Sequence, residues 1–349
     1  MLIKVVEVLW WQLVARARKK SRTCLFFRVH HGGTESTERT IGPPQSPCPQ
    51  CLCGDIRSVV SSRWAQNPHA PGDEFLRDLR TKTAVSLEEA AVTLDGVLGY
   101  AILDLTSGDT FERMSSVAFP TASTIKLAIL YELVKRADEG TLSLDDTIRL
   151  DRTRAVPGGL LYELGTPTLS LRDYANAMII ESDNTATNVL IERLGMEAIT
   201  SRMEKLDLGS IKLRRYMIDI DAAKKGLENV ATPADLAKLL QVFHKSVGLT
   251  PYGQGEALRI LKKPSNSPIR RAVPASVEIA RKDGALEGVR ADTAIVYVKN
   301  RPFVIVAMST YLQDESAADK AIERLATAAY NYFARVGGAA PETGRQLYR

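Results

Sequence analysis

Strand-like segments lie near both ends of the body of this chain and helix-like segments fill the middle, which limits the fold more than any other feature. From about Gly72, "DEFLRDLRTKTA" and "SLEEAAVTL" carry helical spacing, and Asp95–Gly96 marks a turn. "VLGYAILDL" then reads as a buried strand, followed by the hairpin turn "TSGD" and a second strand. "SLRDYANAMIIES", "NTATNVLIERLG", "MEAITSRMEKLDLG" and "TPADLAKLLQVFHKSVG" each place apolar residues three and four apart. Thr232–Pro233 is a helix start, and Gly195 and Gly209 are helix stops. Strands return in "SVEIARKDG", "TAIVYVKN" and "PFVIVAMSTY", before a last helix "SAADKAIERLATAAYNYFARV". The expectation is an α+β (α/β) fold. One antiparallel sheet is built from N- and C-terminal strands and flanked by helices, with an all-helical lobe over about residues 121–265. A cleft between lobes is the natural place for a site.

Three regions follow: an N-terminal extension over 1–72, a body over 73–338 and a polar tail over 339–349. Residues 1–72 carry ten Lys/Arg against four Asp/Glu, leaving the rest with 36 and 37 of the chain's 46 and 41. The surplus of positive charge belongs to the extension, so the body has no electrostatic case for binding nucleic acid. The extension also holds Cys24, Cys48, Cys51, Cys53 and all three tryptophans. "CPQCLC" is one compact cluster where a structural zinc site pairs two, so no metal is expected. "VVEVLWWQLVA" precedes "RARKK", the reverse of signal-peptide charge order, and a poorly ordered extension is expected. No apolar run is long enough to span a membrane.

The chemistry begins in "FPTASTIKLAILYEL". Pro120 and Thr121 are ordinary helix-start residues, and Ile125, Ile129 and Leu133 form an apolar stripe. Ser123 and Lys126 share a face near the positive end of the dipole, an expensive place for an amine. S-x-x-K alone is weak, arising about once by chance in a chain this long. "ESDNTAT" adds Ser182–Asp183–Asn184, a tripeptide that also reads as a helix N-cap. "ARKDGALEG" adds Lys282 and Gly284 on a late strand. In this order the three elements resemble the S-x-x-K, S-D-N and K-T-G signatures of the penicillin-recognising serine enzymes. The chain most resembles class A β-lactamases and the class-A-like penicillin-binding proteins, over roughly residues 75–336.

The resemblance implies roles. Ser123 is the nucleophile and Lys126, its pKa depressed by burial beside Lys282, the base. Ser182 relays the proton to the leaving nitrogen, and Asn184 holds Lys126 and the substrate's amide side chain. Backbone N–H groups of Ser123 and Ala285 form the oxyanion hole beside Gly284. Lys282, with Arg290, attracts a substrate carboxylate. Two departures matter. Asp283 replaces a hydroxyl residue and would repel that carboxylate unless Lys282 or Arg290 screens it or it is protonated; paired with Lys282 instead, it would shift preference toward a neutral or cationic ligand. Counting back from Pro233, Tyr216 or Met217 occupies the place of the glutamate that activates water for deacylation. Asp219, Asp221 and Glu228 lie in the same loop outside that context.

Three readings result. One is a β-lactam-opening serine hydrolase with slow deacylation. The second is a D-alanyl-D-alanine carboxypeptidase or transpeptidase of the same fold. The third is a β-lactam-binding sensor domain, ranked last because no membrane partner segment is seen. The expected partner is a small β-lactam or a D-Ala-D-Ala peptide, with no cofactor, no nucleic acid and a monomeric chain. The resemblance implies a periplasmic or extracellular site of action, although no export signal is read. His244 is read as a helix residue outside the chemistry.

Overall fold

The computed structural model describes residues 71–264 and 266–347. The expectations for the cysteine cluster and the basic extension fall on residues 1–70 and lie outside the described residues. The body begins with α1 (Pro71–Val92), β1 (Val97–Asp104), β2 (Thr110–Arg113) and β3 (Phe119–Pro120). A 3₁₀ turn over Ala122–Ile125 leads into α2 (Lys126–Asp138), then β4 (Thr147–Arg149), β5 (Thr168–Ser170), α3 (Leu171–Ile180), α4 (Asn184–Leu194) and α5 (Met196–Lys205). Next come α6 (Ile220–Lys224), β6 (Val230–Ala231), α7 (Pro233–Lys245), α8 (Pro251–Leu261) and α9 (Pro268–Ala272). The chain closes with β7 (Ile279–Leu286), β8 (Val289–Val296), β9 (Phe303–Thr310) and α10 (Glu315–Gly338).

The main sheet runs β2-β1-β9-β8-β7, every pairing antiparallel, so the first strands meet the last across the centre. That is the fold class expected from strands bracketing a helical insert. Burial explains why these strands read as near-continuous apolar runs. In β9, Phe303, Ile305 and Ala307 enter a core beneath α1 and α10 with Leu87, Ile322 and Leu325. Val304, Val306 and Met308 alternate to the other face and join the helical lobe's core with Phe119, Leu236 and Phe243. Each such side chain contributes about 2 kcal/mol on burial. Among the described residues no helix is long and apolar enough to cross a membrane.

Local departures have identifiable causes. The two segments with helical spacing form one helix, α1, with no Gly or Pro between them. Gly195 ends α4 with positive φ as expected, but α5 stops at Lys205 and Asp207 takes the left-handed position ahead of Gly209. Pro120 does not start a helix: Phe119–Pro120 pairs with Ala231–Val230. Thr121 spends its N–H and hydroxyl on the Asn229 carbonyl and makes no side-chain cap. The α-helix therefore starts only at Lys126, and Ser123 sits in the tighter turn before it.

The helical lobe is tied by one buried carboxylate. Glu132 on α2 is 2% exposed and accepts 2.7 Å bonds from Arg136 Nε and, across to α5, Arg202 Nε. Glu132→Ala leaves two guanidinium groups facing a void and should lower stability by about 3 kcal/mol in urea unfolding. An unchanged midpoint would contradict this role.

Candidate active site

Three segments converge on one cleft of about 370 Å³, whose lining includes Ser123, Ser182, Asn184, Asp283, Gly284 and Ala285. Lys126, the first residue of α2, is fully buried behind it. Its ammonium nitrogen donates to the Ser182 carbonyl at 2.6 Å, Ser182 Oγ at 3.0 Å and Asn184 Oδ1 at 3.2 Å. No hydrogen bond joins it to the Ser123 hydroxyl among the described residues, because these three acceptors draw the amine toward the start of α4. Burial pushes the Lys126 pKa well down, and the nearby Lys282 charge pushes it further, against the pull of Asp183 and Asp283.

Backbone strain accompanies these contacts. Ala122 and Ser182 both have positive φ, 45° and 53°, where side chains are disfavoured. Asp183 caps α4: its Oδ1 accepts from Ala186 N and its Oδ2 from Leu161 N. The cap and the chemistry are thus one motif. Asp183 fixes the backbone, and that fixes Ser182 and Asn184 over Lys126. From the other side, "PGG" at 157–159 closes on the motif: Pro157 O accepts from Asn184 Nδ2 at 2.9 Å and Gly158 O from Asn184 N at 3.0 Å. Gly158 has a φ of 89° and an added Cβ would strike Asn184. Sequence reasoning missed this pair, although tandem glycines after proline are a clear signal of a special backbone.

The third segment is β7, the outer strand of the sheet, whose free edge faces the 3₁₀ turn. Gly284 permits that approach, since a Cβ there would lie 2.6 Å from Ser123 N. Lys282 is 1% exposed and donates to the Asp283 carbonyl at 2.7 Å and to Asp283 Oδ1 at 3.4 Å. Arg281, also buried, pairs with Asp283 Oδ1 at 3.1 Å. Burial raises the Asp283 pKa, but Lys282 and Arg281 outweigh it and hold the carboxyl below the usual range. Burial, with the added charge of Arg281, also lowers Lys282, against the pull of Asp283.

The screening partners of Asp283 are therefore Lys282 and Arg281, rather than Arg290. Arg290 sits opposite Ala285 in register, but its guanidinium pairs with Glu315 and Asp319 on α10 and it is absent from the cleft lining. Arg290 also donates to the Leu286 and Val289 carbonyls of its own hairpin at 3.1 and 2.9 Å, so its guanidinium is already partnered. Behind Asp283, its cross-strand neighbour Asp292 is fully buried and accepts from Ile269 N at 2.9 Å. Burial, with the charge of Asp283, pushes Asp292 up to about 7, against the pull of Arg281.

The loop ahead of α7 lends the cleft Arg215, Met217, Ile218 and Asn229, and none of its carboxylates. Glu228 takes a bidentate pair from Arg215, and Asp219 caps α6. Asn188, one helical turn beyond Asn184, holds Met217 through both its amide groups. That i, i+4 spacing was available in the sequence. His244 packs beside Tyr297 and does not line the cleft.

Residues 79–333 match the family model described as the beta-lactamase enzyme family, and the chain belongs to that family of penicillin-recognising serine hydrolases. It is 26% identical over 251 residues to the imipenem-hydrolyzing beta-lactamase of Enterobacter cloacae, covering 70% of this chain and 86% of that protein. An ancestral class A beta-lactamase superposes with a TM-score of 0.68 at 25% identity, covering 72% of this chain and all of that one. PBP-A shares the fold with a TM-score of 0.66 at 24% identity, covering 72% and 96%.

Gly159→Ala tests the support of the S-D-N motif. The added Cβ would overlap the Asp183 carboxylate and come within 2.6 Å of its Cα. A loss of about 2 kcal/mol in urea unfolding is expected, and wild-type stability would contradict this packing.

Proposed function

We propose that this chain is a serine hydrolase that opens β-lactams through an acyl-enzyme on Ser123 and releases the acyl group slowly. The observation that carries the reading is the buried Lys126 amine, its pKa driven down, anchored on Ser182 and Asn184 behind the cleft that Ser123 lines. A serine hydroxyl is too weak an acid to react unaided, and a neutral amine beside it supplies the base.

Ser123 Oγ attacks the β-lactam carbonyl and its proton passes to neutral Lys126. That contact forms as substrate fills the cleft, since catalytic hydrogen bonds are often long without a ligand. The carbonyl oxygen, now negative, takes hydrogen bonds from the backbone N–H groups of Ser123 and Ala285, each worth about 3 kcal/mol. As the C–N bond breaks, the Ser182 hydroxyl, 3.0 Å from Lys126 Nζ, gives its proton to the leaving nitrogen and recovers one from the amine. Asn184 holds the substrate's amide.

Water must then attack the ester, and here the cleft is poor. Of Tyr216 and Met217, which counting back from Pro233 puts at the place of a water-activating carboxylate, Met217 lines the cleft and Tyr216 does not, and a thioether is no base for water. The same observation favours a second reading, a D-alanyl-D-alanine carboxypeptidase or transpeptidase whose acyl-enzyme β-lactams trap.

Intact-mass spectrometry after mixing with a penicillin tests both. A lasting penicilloyl adduct is expected, absent in Ser123→Ala and formed at least about 100-fold more slowly in Lys126→Arg, whose guanidinium cannot act as base. The sign of the pH effect is fixed. Below the depressed Lys126 pKa the amine is protonated, so acylation falls as pH drops through it and holds above it. Steady turnover with no adduct would mean an efficient β-lactamase with a base elsewhere. No adduct and no turnover, with a D-Ala-D-Ala peptide equally inert, would overturn the proposal.

A further inference from the structure

Among the described residues, Lys282 and the guanidinium groups near the mouth of the cleft already have carboxylate partners. Lys282 and Arg281 both close on Asp283. Arg215, which lines the cleft, is held bidentately by Glu228. Arg290 is turned away to Glu315 and Asp319. Lys126 is spent on the neutral acceptors of Ser182 and Asn184. The carboxylates are differently placed. Asp283 lines the cleft with its side chain 40% exposed. Glu181, exposed on the same lining, has no ion pair among the described residues. The cleft wall thus offers acceptors and negative charge, while Lys282 and Arg281 are buried beside Asp283 and Arg215 is paired with Glu228.

We propose that Asp283 sets the specificity of this cleft, selecting substrates whose end group is an uncharged hydrogen-bond donor or a cation over substrates that end in a free carboxylate. This rests on the acyl-enzyme reading for the location of the substrate. Its physical basis is separate. A carboxylate arriving at Lys282 must displace Asp283 from the ammonium or lie beside it, like charge against like. A carboxamide or ammonium instead donates to the exposed Asp283 oxygen and leaves the Lys282–Asp283–Arg281 set intact. Both end groups offer the same donor chemistry, and the probes below separate them.

The test uses equilibrium binding, so that it stands apart from acylation. Ser123→Ala protein is titrated by calorimetry with benzylpenicillin, its primary carboxamide and its 2-aminoethyl amide. The two amides should bind at least about tenfold more tightly than the carboxylate, and the stronger of the two tells whether the neutral or the cationic donor is preferred. Adding Asp283→Asn, which keeps the shape and removes the charge, should bring the ratio to one or below, because Asp283 no longer neutralises Lys282 and Arg281. Asp283→Thr provides a second variant should the first fail to fold, with circular dichroism reporting the fold of each. Binding of the carboxylate as tightly as the amides overturns the proposal. So does a ratio unmoved by either substitution, or failure of all three probes to bind. Acylation of the wild-type protein by any one probe decides the serine-hydrolase reading independently.

Discussion

A buried primary amine constrains everything around it. Holding an ammonium ion inside a protein costs several kcal/mol, and the group either finds partners or gives up its proton. Lys126 does part of each. Three oxygens from Ser182 and Asn184 receive its nitrogen, and the charge on Lys282 makes the neutral form easier to reach. A second buried lysine on an outer strand would be an unusual structural choice in its own right. Beside Lys126, Lys282 acts on the protonation of its neighbour, while its own is lowered by burial and by Arg281 against the pull of Asp283.

The fold serves this arrangement by bringing distant chain segments to one place. Central pairing of β1 with β9 leaves β7 at an edge, where its backbone can reach the turn that carries Ser123. Gly284 removes the one side chain that would keep them apart. Two strained residues, Ala122 and Ser182, flank the chemistry, and the strain is held by contacts on every side. Thr121 is pinned to Asn229, Asp183 caps α4, and Pro157 and Gly158 clasp Asn184. A site held this firmly needs little reorganisation when charge develops.

Much of this was legible in the sequence, because period and order survive folding. Alternating burial in β9 and the helical spacing of α3, α4 and α7 gave the layers, and the order strand, helix, strand gave the antiparallel sheet. Ser123, Ser182, Asn184, Gly284 and Ala285, each in a quoted motif, line one cleft, and Lys126 lies behind it on Ser182 and Asn184. What escaped the sequence depends on partners remote along the chain. Arg290 finds its ion-pair partners in Glu315 and Asp319, on a helix after the next strand. Arg281 emerges as the screen of Asp283 only when strand alternation puts both on one face. Pro120 looks like a helix start until Val230, more than a hundred residues later, pairs with it.

The central claim is that the Lys126 amine gives up its proton far more readily than an ordinary lysine because it is buried beside a second cation. Nuclear magnetic resonance titration of ¹³Cε-labelled lysines, with Lys126 assigned by its loss in Lys126→Arg, measures this directly. The account predicts a midpoint well below that of the surface lysines, rising when Lys282→Met takes away the neighbouring charge. A Lys126 signal that titrates together with the surface lysines, and ignores Lys282→Met, would contradict it.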